Sequence, residues 1–243
     1  MKYNEQTKKW ESPYWHPAVT TDAVVFGFDG DSLNLLLIER GIEPYRGMWA
    51  LPGGFIGKDD QSAQDAVYRE LREETNVEDI YLEEMQTFSK ADRDPRERVI
   101  TIAFFALVVQ GKYKVVGGDD ARRAKWFPVN ALPKLAFDHA DIIDMALERL
   151  RQRIHFEPIG FHLLGKEFTM PQLQNIYIAI LNPPEDDNKL RDRRNFPKKM
   201  LKLGYIKDTG KKATGNPNRS PKLYTFDEEA YRNAKKLGMR LEF

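Results

Sequence analysis

Gly53-Gly54, followed after a loop by Arg69-Glu70-Leu71-Arg72-Glu73-Glu74-Thr75-Asn76-Val77, is the stretch on which the fold is decided. From Ser62 to Thr75 the apolar residues Ala63, Ala66, Val67 and Leu71 recur at helical spacing, which predicts one buried helix face. Asp59, Asp60 and Ser62 are candidate N-caps. Asn76 tolerates the left-handed conformation that commonly ends a helix. On such a helix Glu70 and Glu74 are i and i+4, and Glu70 and Glu73 are i and i+3, so the three carboxylates share a face. Clustered carboxylates repel one another. A hard divalent cation is one relief, and Mg²⁺ prefers oxygen ligands and also binds phosphates. The competing reading is a solvated face on which Arg69 and Arg72 pair with the glutamates. The strand-Gly-Gly-loop context ahead of the helix favours a site, because the Gly pair lets backbone approach a metal or phosphate closely.

Working outward, Trp49-Ala50-Leu51-Pro52-Gly53-Gly54 reads as a short strand ending in a Pro-Gly-Gly loop. Ala23 to Phe28 and Leu33 to Ile38 are apolar runs separated by Asp29-Gly30-Asp31-Ser32, a hairpin or a pair of adjacent strands. Val99 to Val109 is the longest apolar run, too short for a bilayer, and reads as a buried strand. Ala124 to Phe127 is a further strand, and Ile142 to Ile154 an amphipathic helix. The segment Asp92-Arg93-Asp94-Pro95-Arg96-Glu97-Arg98 lies just ahead of the buried strand. Arg93, Arg96 and Arg98 there are candidate bidentate ligands for phosphate, with a solvated turn as the alternative.

The chain has 243 residues, enough for one large domain or two modest ones. It contains no cysteine, which excludes disulfides and thiolate metal sites and fits a reducing compartment. The polar stretch Met1–Pro13 lacks the apolar core of a signal peptide, so a cytoplasmic protein is expected. The net charge of +1 conceals a division. Residues 1–152 carry 20 Lys/Arg against 26 Asp/Glu, and residues 153–243 carry 18 against 11. The two parts thus suit different partners, the basic one a polyanion. The region 155–165, with Pro158 and two glycines, has no helical period. The expected units are therefore 1–154 and 155–243.

The C-terminal unit has its own rhythm. Thr169, with Gln172 three residues on, predicts a capping box that opens a helix to about Leu181. Asn182-Pro183-Pro184-Glu185-Asp186-Asp187 breaks it. A second helix ends at Leu203 with Gly204 beyond it. Asn195 is the better N-cap, since Pro197 then falls in the first turn; Asp192 is an earlier candidate. Tyr205–Lys207 and Lys222–Phe226 read as two strands around a Gly-, Asn- and Lys-rich loop. Helix, break, basic helix, hairpin is the layout of a winged helix-turn-helix. Phe196, Met200 and Leu203 are spaced to bury one side of the second helix. Between Lys189 and Lys222 stand 12 Lys/Arg against two Asp. Arg191, Arg193, Arg194, Lys198, Lys199 and Lys202 are the candidates for phosphates and base edges, and Lys211, Lys212 and Arg219 for the wing. The alternative is a solvated basic extension.

The glutamate string resembles the Nudix box, in which Gly, five residues, Glu and seven residues precede Arg-Glu-aliphatic-x-Glu-Glu-x-Gly-aliphatic. Arg69, Glu70, Leu71, Glu73, Glu74 and Val77 fit its second half. The resemblance implies an α+β fold, a Nudix α/β/α sandwich with a mixed sheet, followed here by the winged helix. It also implies Glu70, Glu73 and Glu74 as metal ligands and catalytic carboxylates, Mg²⁺ as cofactor, and Arg69 orienting one glutamate. Three departures stand out. Gln61 occupies the position of the first Glu, the Gly54-to-Gln61 interval is one residue too long, and Asn76 replaces the last Gly. The first two tell against hydrolysis more than against ligand binding, because catalysis tolerates little misplacement. Both units together resemble the Nudix-related transcriptional regulators of NAD and sugar metabolism, a resemblance that takes in Phe137-Asp138-His139 and Glu157-Pro158-Ile159-Gly160-Phe161. It implies a homodimer on operator DNA, repression, and ADP-ribose, a related metabolite or a sugar as effector. The rival expectation is a Mg²⁺-dependent pyrophosphatase, with Glu83, Glu84 and Glu97 all open as its general base.

Overall fold

A computed structural model describes residues 1–118, 121–187, 189–214 and 220–236. Its elements in chain order are β1 (Lys2–Asn4), β2 (Lys9–Glu11), β3 (Ala18–Phe28), β4 (Leu33–Arg40), β5 (Trp49–Ala50), β6 (Gly53–Phe55), α1 (Ala63–Thr75), β7 (Glu83–Phe88), β8 (Val99–Val109), β9 (Ala121–Pro128), α2 (His139–Arg153), α3 (Met170–Leu181), α4 (Asn195–Lys202), β10 (Ile206–Lys212), β11 (Lys222–Phe226) and α5 (Glu228–Lys236).

The central sheet runs β5-β4-β3-β8-β7, with β6 also paired to β3 and β9 to β4. It is mixed: β3 and β8 run parallel over eleven residues from Ala18↔Val99 to Phe28↔Val109, and the other pairings are antiparallel. Successive side chains on a strand point to opposite faces. Ala23 and Val25 accordingly pack with Val67 and Leu71 of α1. Val24, Phe26 and Phe28 pack in the cluster that contains Ile142, Ile143 and Ala146 of α2. Helix, sheet, helix is the expected sandwich. Ser62 is the N-cap of α1, accepting the Asp65 N–H, and Asn76 closes the helix at φ +57°.

The Gly pair departs from the expected loop. Gly53–Phe55 is a strand, with Gly53 opposite Asp22 and Gly54 opposite Thr21. The pairing explains the glycine at position 53, where an added Cβ would stand 2.1 Å from the Thr21 carbonyl oxygen.

In the C-terminal unit both arms of the capping box are made, Thr169 side chain to the Gln172 N–H and Gln172 side chain to the Thr169 N–H. Phe196 and Met200 of α4 are fully buried, and Gly204 lies beyond the helix at φ +78°. Asn195 is the first residue of α4 rather than its cap. The Asp192 carboxylate accepts the N–H groups of Arg194 and Asn195, and starting at Asn195 still leaves Pro197 in the first turn, where its missing N–H costs nothing. The wing strands extend Ile206–Lys212 against Lys222–Phe226. The sequence reading did not foresee β1–β2, β7 or α5.

The chain boundary at 155–165 is not a break in the core. Leu147 and Leu150 of α2 and Ile154 at its C-cap share one buried cluster with Phe161, Phe168, Leu173, Tyr177 and Phe196. No helix among the described residues is long and apolar enough to cross a membrane.

Candidate functional site

A cleft of about 250 Å³ opens over one end of the sheet. Its floor is β3 and β6, one wall is α1, and the other is formed by residues 93–96 and the start of α2. Glu70, Glu73, Glu74, Gly53, Gly54, Arg93 and Arg96 all line it. So do Asp22, Arg40, Phe55 and Phe137, which sequence reasoning did not single out as site residues. Their only sequence signals are strand ends and the Phe137-Asp138-His139 run.

The carboxylates are held apart by different partners. Glu74 is buried and accepts the Gly53 N–H at 2.8 Å. Burial, then the nearby carboxylates of Glu70 and Asp22, push its pKa up to about 8. Glu70 lies against the backbone of Gly54, where an added Cβ would stand 2.4 to 2.7 Å from the carboxylate. Arg69 reaches Glu70 at 2.8 Å and Glu73 at 3.2 Å. Among the described residues no group of three carboxylate or imidazole side chains is arranged to hold a metal ion. The donors are all oxygen and fit a hard cation by kind. In the described arrangement the Arg69 guanidinium and the Gly53 N–H partner these carboxylates.

Asp60 corrects the reading of the box. Its carboxylate takes two hydrogen bonds from Arg69, 3.0 and 2.8 Å, and the Gly57 N–H at 2.6 Å. Those bonds hold its pKa down at about 2. Gln61 turns away and donates to the Asp59 carbonyl. Five residues thus separate the acid from Gly54, the box spacing, and the extra residue falls between Asp60 and Arg69. The negative charge counted as lost at Gln61 is supplied one position earlier.

On the far wall the arginines divide. Arg93 is buried and makes a two-pronged bond to Asp138 at 3.0 and 2.8 Å, with Asp22 at 3.6 Å. It fixes the start of α2 and is not free to take a phosphate. Arg96 is half-exposed, paired with Asp94 at 2.7 Å, and lies over the rings of Phe55 and Phe137. Arg98 does not line the cleft, and its carbonyl accepts the Ala18 N–H. His139 accepts the Leu51 N–H at Nδ1, 2.9 Å, which leaves the neutral ring's proton on Nε2, 3.6 Å from Asp22. Burial drives its pKa down, against the pull of Asp22. Asp22 itself accepts from the Thr101 hydroxyl at 2.6 Å. None of Glu83, Glu84 and Glu97 lines the cleft. Glu83 is bound instead by Arg149 and Arg153.

The basic surface of the winged helix contrasts with this network. Arg193, Arg194, Lys198, Lys202 and Lys212 are exposed and in no ion pair among the described residues. Lys199 is half-buried. Two candidates have partners within the protein. Arg191 ties down the Pro-Pro break by donating to the carbonyls of Pro184 and Pro183, 3.0 and 2.9 Å, and Lys211 pairs with Glu167 at 2.7 Å. Arg219 lies outside the described residues.

A sandwich with a glutamate helix over its cleft, followed by a winged helix, defines a class of two-unit proteins, and comparison with known families bears it out. The model for the NUDIX domain matches residues 16–146, and that for the NrtR DNA-binding winged helix domain matches residues 160–226. The chain belongs to the Nudix family, in the branch that carries an NrtR-type winged helix. It is 31% identical over 224 residues to an ADPR responsive transcriptional repressor, NtrR, of Acinetobacter baylyi, covering 91% of this chain and 86% of that one. It is 43% identical over 130 residues to an ADP-ribose pyrophosphatase of Methanocaldococcus jannaschii, 54% of this chain and 73% of the relative. Among solved structures, NrtR of Shewanella oneidensis superposes with a TM-score of 0.66 at 33% identity, covering 88% of this chain and 95% of that one. The same Shewanella protein has been solved with a 27mer DNA, and its NUDIX domain with ADP ribose.

Proposed function

We propose that the chain is a DNA-binding transcriptional repressor whose Nudix cleft senses ADP-ribose or a related nucleoside diphosphate. The observation that carries this reading is the row of exposed cations without ion pairs, Arg193, Arg194, Lys198 and Lys202, at and beside α4. A solvated extension would not need Phe196 and Met200 buried behind it to fix the face presented. The relatives support it: one is named as an ADPR responsive repressor, another was solved on DNA. A cytoplasmic homodimer on a two-fold operator is the expected working form. The all-oxygen face of α1 makes Mg²⁺ the proposed cation beside a diphosphate.

Helix α2 supplies a route between the two sites. Asp138 and His139 at its start are bonded to Arg93 and Leu51 in the cleft. At its other end Arg151 donates to the Ile180 carbonyl, in the last turn of α3. An effector that binds the DNA-free and DNA-bound arrangements unequally must shift operator affinity by the same factor. The test is anisotropy of a labelled operator duplex with and without ADP-ribose. At least tenfold weaker binding is expected, and operator affinity indifferent to the effector would sink the switch.

A second reading, ADP-ribose hydrolysis, is favoured by the retained Glu70, Glu73 and Glu74, by Asp60 on Arg69, and by the 43% identity to the archaeal pyrophosphatase. Incubation with ADP-ribose and Mg²⁺ checks it. AMP release abolished by Glu74→Gln would make the cleft an enzyme as well as a sensor, and a thermal shift without AMP release would leave it a sensor only.

A further inference from the structure

Phe137 holds a backbone conformation that bulky residues rarely adopt, with φ at +52°. Such a position persists only where the surroundings fix it. Here they do so on both sides. The Ala136 N–H donates to the Trp49 carbonyl, Asp138 is bonded twice by Arg93, and His139 accepts the Leu51 N–H. The ring is thereby set into the wall of the cleft, half-buried. Two guanidiniums lie over it, Arg40 at 4.8 Å and Arg96 at 5.8 Å, and Tyr45 meets it edge-on at 4.8 Å. Arg96 also lies over the ring of Phe55, at 5.2 Å.

We propose that Phe137 is the stacking platform for the planar base of the ligand, and that it makes the cleft selective for a nucleoside diphosphate over a sugar or sugar phosphate. The inference rests on the reading of the cleft as an effector site. The electron-rich face of a phenyl ring attracts flat cations when nothing else covers it. A purine is also flat and stacks on the same face. Arg40 and Arg96, whose guanidiniums donate to the Pro44 carbonyl and to Asp94, would border the stacked base. A sugar has no π face and meets the ring only through its C–H bonds, so the ring favours a purine.

The test uses the full chain and three variants. Phe137→Asn removes the ring while tolerating the positive φ, Phe137→Tyr keeps the ring, and Phe55→Leu removes the neighbouring one. The probes are ADP-ribose, its fluorescent 1,N6-etheno derivative, ribose 5-phosphate and inorganic pyrophosphate. Loss of one base–aromatic stack corresponds to about 5- to 150-fold weaker binding. Phe137→Asn should lose that factor for ADP-ribose, along with the quenching of etheno fluorescence, and stay within about twofold of the parent for pyrophosphate. Phe137→Tyr should retain both. Phe55→Leu should affect ADP-ribose less than Phe137→Asn does. Undiminished ADP-ribose binding by Phe137→Asn overturns the platform alone, as does an equal loss for pyrophosphate, which would mark the ring as structural. A parent chain that binds ribose 5-phosphate but not ADP-ribose overturns the effector assignment and the platform with it.

Discussion

The two ends of the molecule use positive charge in opposite ways. In the cleft Arg69, Arg93 and Arg96 are each committed to a carboxylate within 2.8 Å. Beside α4, Arg193, Arg194, Lys198 and Lys202 are exposed and commit to none. A buried guanidinium satisfied by two-pronged bonds fixes geometry, and its removal leaves unpaired charge behind. An exposed cation contributes little to the fold but much to a polyanion, through counterion release. The cleft is therefore built for shape and the winged helix for long-range attraction. Substitutions that remove the same charge should separate the two roles.

The largest effect is expected at Arg93. Arg93→Ala strands Asp22 and Asp138 in a buried site and should cost about 3–5 kcal/mol, the usual range for breaking a buried pair. At roughly 2–4 °C per kcal/mol for a chain of this size, melting should fall by about 6–20 °C. If differential scanning calorimetry gives a drop as small as that of an exposed arginine, the network is not what holds the start of α2.

Next comes Glu74, buried with a pKa raised to about 8 from an ordinary 4.5. The folded state then binds a proton that the unfolded state has released. Stability from this group is complete below about pH 4.5, falls as pH rises, and is lost by about pH 8. Glu74→Gln keeps an acceptor for the Gly53 N–H and removes the titration. It should stabilise the ligand-free protein at pH 8 by on the order of 2 kcal/mol, discounted for water reaching an open cleft. The gain should vanish toward pH 5. Equal melting temperatures for parent and variant at pH 8 would show that Glu74 ionises freely.

These two residues also show where sequence reading stops. Helix α1, its Ser62 cap, the Asn76 terminus and the Thr169–Gln172 box were legible because each is decided by neighbours within four residues. The face of α4 was legible for the same reason. The carboxylate face of α1 could be named, but not Asp22, Arg40 or His139, which reach the cleft from strands and helices far away in sequence. Arg93 and Arg191 looked like ligand-binding cations because composition does not say which cations are already bonded; Asp138 and the Pro183–Pro184 carbonyls decide that. Asp60 was read only as a candidate cap, since fixed spacing put the missing acid at Gln61. The loop absorbs the extra residue after the acid instead. Helix α5 went unread although Asp227 accepts the Ala230 N–H at its start.

On the winged helix the same comparison predicts the reverse pattern. Arg194→Ala, Lys198→Ala and Lys202→Ala should each leave melting within about a degree, as surface changes do. Each that removes a phosphate contact should lower the slope of log affinity against log salt by about 1, with similar loss on random and operator duplex. Arg191→Ala should behave oppositely, lowering melting through the Pro-Pro break with the salt slope retained. Salt titrations that single out Arg191 would invert the assignment.

The smallest effect is the most pointed test of the cleft. If the missing acid of the box were the defect that Gln61 suggests, Gln61→Glu would restore it. In the structure Asp60 already takes Nε and Nη2 of Arg69 and the Gly57 N–H, Nη1 donates to Glu70 and Glu73, and Gln61 faces the Asp59 carbonyl. A glutamate there meets no free donor on Arg69, so ADP-ribose affinity and any AMP release should stay within about twofold of the parent. Asp60→Asn should do what the Gln61 departure was expected to do. It loosens Arg69, lets Glu70 and Glu73 drift, and weakens ligand binding, with a smaller loss of melting temperature than Arg93→Ala because Arg69, unlike Arg93, is partly open to water. Combining Asp60→Asn with Gln61→Glu separates the alternatives. Recovery in the double variant would mean that the loop can present either acid, and no recovery would mean that the spacing from Gly54 is what Arg69 requires.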